Sequence, residues 1–160
     1  MAHTSRPQRR TFDLRALVID ICRSLSRQMS SPSVELAIDI PPEQTITADG
    51  DMLRQAVANL VIHAIDTMPH GGSLVITSSA GPNTVDLEIA DSGPGLPEVM
   101  QQPPAGELFQ TSAGTIDFGL AVVCRIAQLH GGSVTAVNCP EGGAAFTLSI
   151  PRAMAMERAA

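Results

Sequence analysis

Asp91-Ser92-Gly93-Pro94-Gly95 stands where an alternating apolar run stops, so a carboxylate and two glycines meet at a strand end. A carboxylate there can accept a hydrogen bond from an exocyclic amine, and the glycines let a flat ring approach the backbone. Taken alone, the same five residues read equally well as a strand-ending turn. Gly119-Leu120-Ala121 opens a later helix, whose free N–H groups and dipole suit an anion such as phosphate. A third group lies on an earlier helix. Gln55, Asn59 and His63 recur at i, i+4 spacing, and Asp66 continues the line one turn on. This is a solvated stripe or one wall of a pocket, and its narrowness and the glycine motif downstream favour the pocket. His130-Gly131-Gly132 reads as a helix stop.

These residues need elements to hold them. From Phe12 onward Leu14, Leu17, Val18, Ile21 and Leu25 follow the helical period, ending at Ser30-Ser31-Pro32-Ser33. Val34, Leu36, Ile38 and Ile40 alternate as a strand, and Thr45–Ala48 make a short second one. Asp49 and Asp51 are candidate N-caps for the helix that carries the polar stripe, closed by Pro69 and Gly71-Gly72. Leu74–Thr77 and Thr84–Ala90 form a hairpin through Gly81-Pro82-Asn83. A helix over 118–130 and a last hairpin, 134–138 with 145–150, complete the chain. The expected fold is α/β, a two-layer sandwich with a mixed, mostly antiparallel sheet of about five strands on about three helices. Residues 1–11 are expected to be a flexible basic tail, 12–151 the domain, and 152–160 a C-terminal tail.

Composition narrows the function. Aromatic residues are 2% of the chain, with no Trp or Tyr, so base-stacking platforms are missing. The net charge of −6 also disfavours a phosphate-backbone partner, and nucleic acid is excluded on both grounds. All ten positive side chains are Arg, and none lies between Arg54 and Arg125. No apolar run approaches a membrane span, and the three cysteines share no C-x-x-C spacing, as in a reduced, cytoplasmic protein without membrane contact.

The order of the pieces is more specific than any one of them. The stretch from Asn59 through His63 and Asp66 to Gly72 resembles the N-box of the histidine-kinase, gyrase, Hsp90 and MutL ATPases. Asp91-Ser-Gly-Pro-Gly95 resembles their G1 box, Glu107-Leu108-Phe109 the F-box, and Gly119-Leu120-Ala121-Val122 the second half of the G2 box. Residues 126–134 and the closing hairpin match the kinase branch. The resemblance implies a Bergerat-type sandwich that binds ATP with Mg²⁺, the catalytic domain of a bacterial sensor histidine kinase. Asp91 would read the adenine amine, Gly93, Gly95 and Leu96 would flank the ring, and residues 96–118 would form the ATP lid. Asn59, His63, Asp66, Gly119 and Leu120 would complete the nucleotide site, with Asn59 and His63 in the catalytic and metal positions. Asn59 stands where hydrolytic branches carry a Glu base, so transfer to a protein side chain fits better than hydrolysis. The implied partners are a dimerisation and phosphotransfer domain bearing the acceptor histidine, and a response regulator. His3-Thr-Ser-Arg-Pro7 sits too close to Phe12 for such a hairpin, so a fragment or a domain acting in trans is expected.

Departures gather at the phosphate end. His63 replaces a family Asn that ligates Mg²⁺ through oxygen, and imidazole suits transition metals better. Asp117 replaces a glycine beside the phosphates, unless Gly114-Thr115 are kept and an insertion follows. An Asp ~5 Å from a phosphate costs roughly 1–3 kcal/mol at effective dielectrics of 20–80. With no Arg or Lys between 55 and 124, no nearby cation in sequence offsets it. The expectation is weakened Mg-ATP binding. The alternatives are a degenerate, non-catalytic regulatory module and a free-standing anti-sigma-type serine kinase.

Overall fold

A computed structural model describes residues 6–30, 32–96 and 118–152. The chain runs β1 (Arg9–Asp13), α1 (Leu14–Ser24), α2 (Ser26–Ser30), β2 (Val34–Asp39), β3 (Thr45–Asp49) and α3 (Gly50–Asp66). It continues β4 (Gly72–Ala80), β5 (Thr84–Asp91), α4 (Phe118–Leu129), β6 (Ser133–Asn138) and β7 (Ala144–Pro151). Five strands form one sheet in the order β2-β4-β5-β7-β6, with β2 parallel to β4 and the other pairs antiparallel. The mixed, mostly antiparallel sheet and the helices packed on it are the expected two-layer α/β sandwich.

Alternation explains the layering. In β5, Val85, Leu87 and Ile89 are buried while Asp86, Glu88 and Ala90 are less so, giving a core face and a wet face. Leu148 and Phe146 of β7 stand opposite Leu87 and Ile89 and extend that face. Against it lies α3, whose Leu53, Val57, Leu60, Val61 and Ala64 are all essentially inaccessible. Burying each Leu or Val on that stripe contributes about 1.5–3 kcal/mol, so tertiary packing rather than propensity fixes α3. Its start is sharp: the Asp49 side chain accepts the Met52 N–H at 3.1 Å as N-cap, with Asp51 in the first turn.

The N-terminus differs from expectation. Secondary structure begins at Arg9, inside the stretch read as a tail, because β1 pairs antiparallel with β3 from Arg9↔Asp49 to Asp13↔Thr45. Phe12 belongs to this strand, and Asp13 caps α1 by accepting the Ala16 N–H at 3.0 Å. The pairing holds α1 beside the start of α3. A short α2 precedes the break at Pro32-Ser33, where Ser33 takes φ of 64°. At the edge of the sheet β2 is more exposed than its apolar alternation implied, with Leu36 at 37%. No described helix is long and apolar enough to cross a membrane.

Candidate nucleotide site

Asp91 is the last residue of β5 and, at 6% exposure, one of two buried polar side chains among the described residues. Its Oδ1 accepts N–H groups from Gly93 at 2.9 Å and Ala144 at 3.3 Å. Those bonds lock the carboxylate rotamer and leave Oδ2 uncommitted among the described residues. Ser92 continues the β4–β5 ladder: its N–H donates to Ser73 O at 3.1 Å and its Oγ accepts the Ser73 N–H at 2.9 Å.

The two glycines are required by what lies beside them. A methyl group on Gly93 would meet Thr67 Oγ1 at 2.9 Å and Thr67 O at 3.1 Å. Gly95 has φ of +93°, and its methyl would stand 2.8 Å from Asn138 Oδ1. Leu96, buried, donates its N–H to the same Asn138 oxygen at 2.7 Å. The segment from Asp91 to Leu96 is thus a shaped loop between the C-terminus of α3 and the tip of the β6–β7 hairpin.

The remaining candidates lie on α3 and at the start of α4. Asn59, half-buried on α3, donates from Nδ2 to Gly119 O at 3.3 Å, which joins the polar stripe to the first turn of α4. His63 packs its ring edge-on to Phe146, with centroids 5.2 Å apart and an interplanar angle of 77°. Asp66 is exposed at the last position of α3. Leu120 is buried at 1% in the core, so it supports the site through packing, while Gly119 stays partly accessible. The F-box and residues 97–117 of the lid, Asp117 among them, fall outside the described residues.

Thr67, Asn138, Gly143 and Ala144 were not singled out from sequence. Gly143, at φ +90°, is pressed against the Asp91 carbonyl so closely that a side chain there would overlap it. In sequence Gly142-Gly143 signals only a turn.

The family of histidine kinase-, DNA gyrase B- and HSP90-like ATPases matches residues 48–154, which span α3, the Asp91 loop and the closing hairpin. The chain belongs to this family. Its fold and matched segment are those of the ATP-binding catalytic domain of sensor histidine kinases. The adaptive-response sensory kinase SasA of Synechococcus sp. (strain CC9311) is 36% identical over 152 residues, covering 91% of this chain and 39% of that protein. The sensor histidine kinase ZraS of Klebsiella oxytoca is 30% identical over 143 residues, covering 88% and 31%. The chain therefore spans about two fifths or less of the length of these relatives. The catalytic domain of the histidine kinase ThkA superposes with a TM-score of 0.80 at 23% identity, over 91% of this chain and 96% of that one. Full-length ShkA in complex with AMPPNP superposes at 0.79 with 25% identity, over 94% of this chain and 32% of that one.

Asn59 and His63 are the residues that sequence put forward for a metal. Magnesium takes oxygen ligands in near-octahedral geometry. Asn59 offers one neutral amide oxygen, His63 offers an imidazole, and the described residues include no group of three or more His, Cys, Asp or Glu that could hold a metal ion. These side chains do not make a magnesium cage.

Proposed function

We propose that this domain binds the purine of ATP at Asp91 and presents the γ-phosphoryl group to a histidine on a separate dimerisation domain. The observation that carries the reading is the Asp91 carboxylate, buried and held at Oδ1 by Gly93 and Ala144, with Oδ2 uncommitted among the described residues and two glycines beside it. A buried acceptor fixed in one rotamer is suited to an exocyclic amine, and an unmatched partner there would cost about 1–3 kcal/mol. Gly93, Gly95 and Leu96 flank the ring. Gly119 and Leu120, at the start of α4, are assigned to the phosphate side, where a helix N-terminus suits an anion.

Asn59 fits phosphoryl transfer better than hydrolysis. A carboxamide cannot take a proton from water, and its Nδ2 is already committed to Gly119 O. His63, Asp117 and the absence of Arg or Lys between positions 55 and 124 support the companion reading that Mg-ATP is held weakly. Magnesium, when present, would take its oxygens from phosphate and water with at most Asn59 Oδ1 from the protein. A response regulator would receive the phosphoryl group downstream, and dependence on ATP and on these partners implies a cytoplasmic domain. The domain joined to a dimerisation hairpin bearing the acceptor histidine, incubated with labelled ATP, tests the reading. Acid-labile labelling of that histidine, lost in Asp91→Asn, is expected; labelling of a serine, or none at millimolar ATP, contradicts it.

A further inference from the structure

The tip of the β6–β7 hairpin holds the Asp91–Leu96 loop at both ends. At the first end, Gly143 lies against the Asp91 carbonyl and the Ala144 N–H reaches the Asp91 carboxylate at 3.3 Å. At the other, Asn138 Oδ1 accepts the Leu96 N–H at 2.7 Å. The hairpin turn closes on itself through the Cys139 N–H to Gly143 O at 2.9 Å and the Gly142 N–H to Cys139 O at 3.0 Å, so these two grips belong to one rigid unit.

Asn138 has no packing reason to be where it is. It is the last residue of β6 and its side chain is exposed overall, yet its amide oxygen makes one of the shorter bonds in the domain across 42 residues of sequence. The approach also depends on Gly95. At φ +93° with no side chain, Gly95 gives up the space that a methyl would take 2.8 Å from Asn138 Oδ1. Two independent features, an acceptor aimed at Leu96 and a glycine that makes room for it, point to one purpose.

We infer that Asn138 is a positioning residue for nucleotide binding: it fixes the far end of the Asp91–Leu96 loop so that Gly93 and Gly95 present a flat backbone to the purine beside the Asp91 carboxylate. Asn138 does not touch the nucleotide. The inference rests on the purine reading of Asp91, but its structural half, the Asn138–Leu96 link, is independent of any ligand.

The test uses the whole chain with Asn138→Ala and Asn138→Asp. Asp keeps an oxygen acceptor at the same position, and Ala removes it. Losing one such hydrogen bond corresponds to about a fivefold change in an equilibrium. Asn138→Ala is expected to weaken adenosine and ADP binding about fivefold with similar factors for both, and to speed amide exchange at Leu96. Asn138→Asp is expected to restore Leu96 protection and adenosine affinity to within about twofold of wild type. Adenosine is neutral, so the added charge does not confuse the comparison. Unchanged Leu96 exchange in Asn138→Ala overturns the link, and unchanged binding with faster exchange overturns the positioning role. Failure of Asp to rescue also overturns it. If wild type binds neither probe while Leu96 exchange responds as expected, the purine reading fails and the positioning role with it, while the hairpin link stands.

Discussion

His130 Nε2 accepts the backbone N–H of Asp49 at 3.0 Å, tying the end of α4 to the N-cap of α3 across 81 residues of sequence. The ring is fully buried, and its Nδ1 lies 2.9 Å from Ile126 O. With a backbone donor at Nε2, the proton must sit on Nδ1, where it bonds to Ile126 O. Protonation would set two N–H groups against each other at Nε2.

This link predicts acid sensitivity above the carboxylate range. Burial first, with Arg9 adding to it, holds the His130 pKa below its ordinary 6.5, despite the Ile126 carbonyl and Asp49, which act the other way. The unfolded chain therefore binds this proton more readily than the folded one, and stability present above pH 6.5 falls as pH drops through the depressed folded value. Urea denaturation at pH 8 and pH 5.5 should show the loss in wild type and a smaller pH dependence in His130→Ala. Equal slopes in the two proteins would contradict the assignment.

A second acid step belongs to Asp49. Burial raises its pKa, but N–H groups of Gln8, Met52 and Asp51 and the His130 interaction outweigh that and leave it below the ordinary 3.8. Its capping contribution is present above 3.8 and disappears as pH falls through the lower folded value. Asp49→Ala should cost about 1 kcal/mol at neutral pH in chemical denaturation, and the cost should vanish at strongly acidic pH.

At the phosphate end, His63→Asn combined with Asp117→Gly should tighten Mg-ATP binding by about tenfold, the size of one repulsive contact removed. The same double variant should be about 0.5–1.5 kcal/mol less stable, because the edge-on contact of His63 with Phe146 is lost. Calorimetric titration and denaturation together read both effects. Unchanged Mg-ATP affinity would remove His63 and Asp117 as the cause of weak binding.

Gly143→Ala should destabilise the domain by about 1–3 kcal/mol, the range of an overpacked site, since its methyl would overlap the Asp91 carbonyl at φ +90°. Gly142→Ala meets nothing within 4 Å, so any cost there comes only from its φ of +109°. Thermal denaturation of the pair separates packing from backbone preference.

What the sequence made legible was local. The α3 stripe from Leu53 to Ile65, its Asp49 cap and the alternation in β5 announce themselves through periodicity and capping chemistry. So does the five-strand count of the main sheet. Strand β1 was hidden because Arg9-Arg10-Thr11 carries no apolar pattern and is held by backbone pairing to a strand 36 residues away. His130 read as a helix stop, which the turn at Gly131 and Gly132 bears out, but its bond to Asp49 is a tertiary fact. Asn138 and Gly143 were silent for the same reason: each matters only once the hairpin tip meets the Asp91 loop.

Titration calorimetry of the wild-type chain with adenosine and with Mg-ATP tests the central claim most directly. A purine grip at Asp91 with a poorly held triphosphate predicts that both bind, with dissociation constants within about tenfold of each other, a difference of roughly 1.4 kcal/mol or less. Mg-ATP binding a hundredfold or more tighter than adenosine would contradict it, as would Mg-ATP binding with no detectable affinity for the nucleoside.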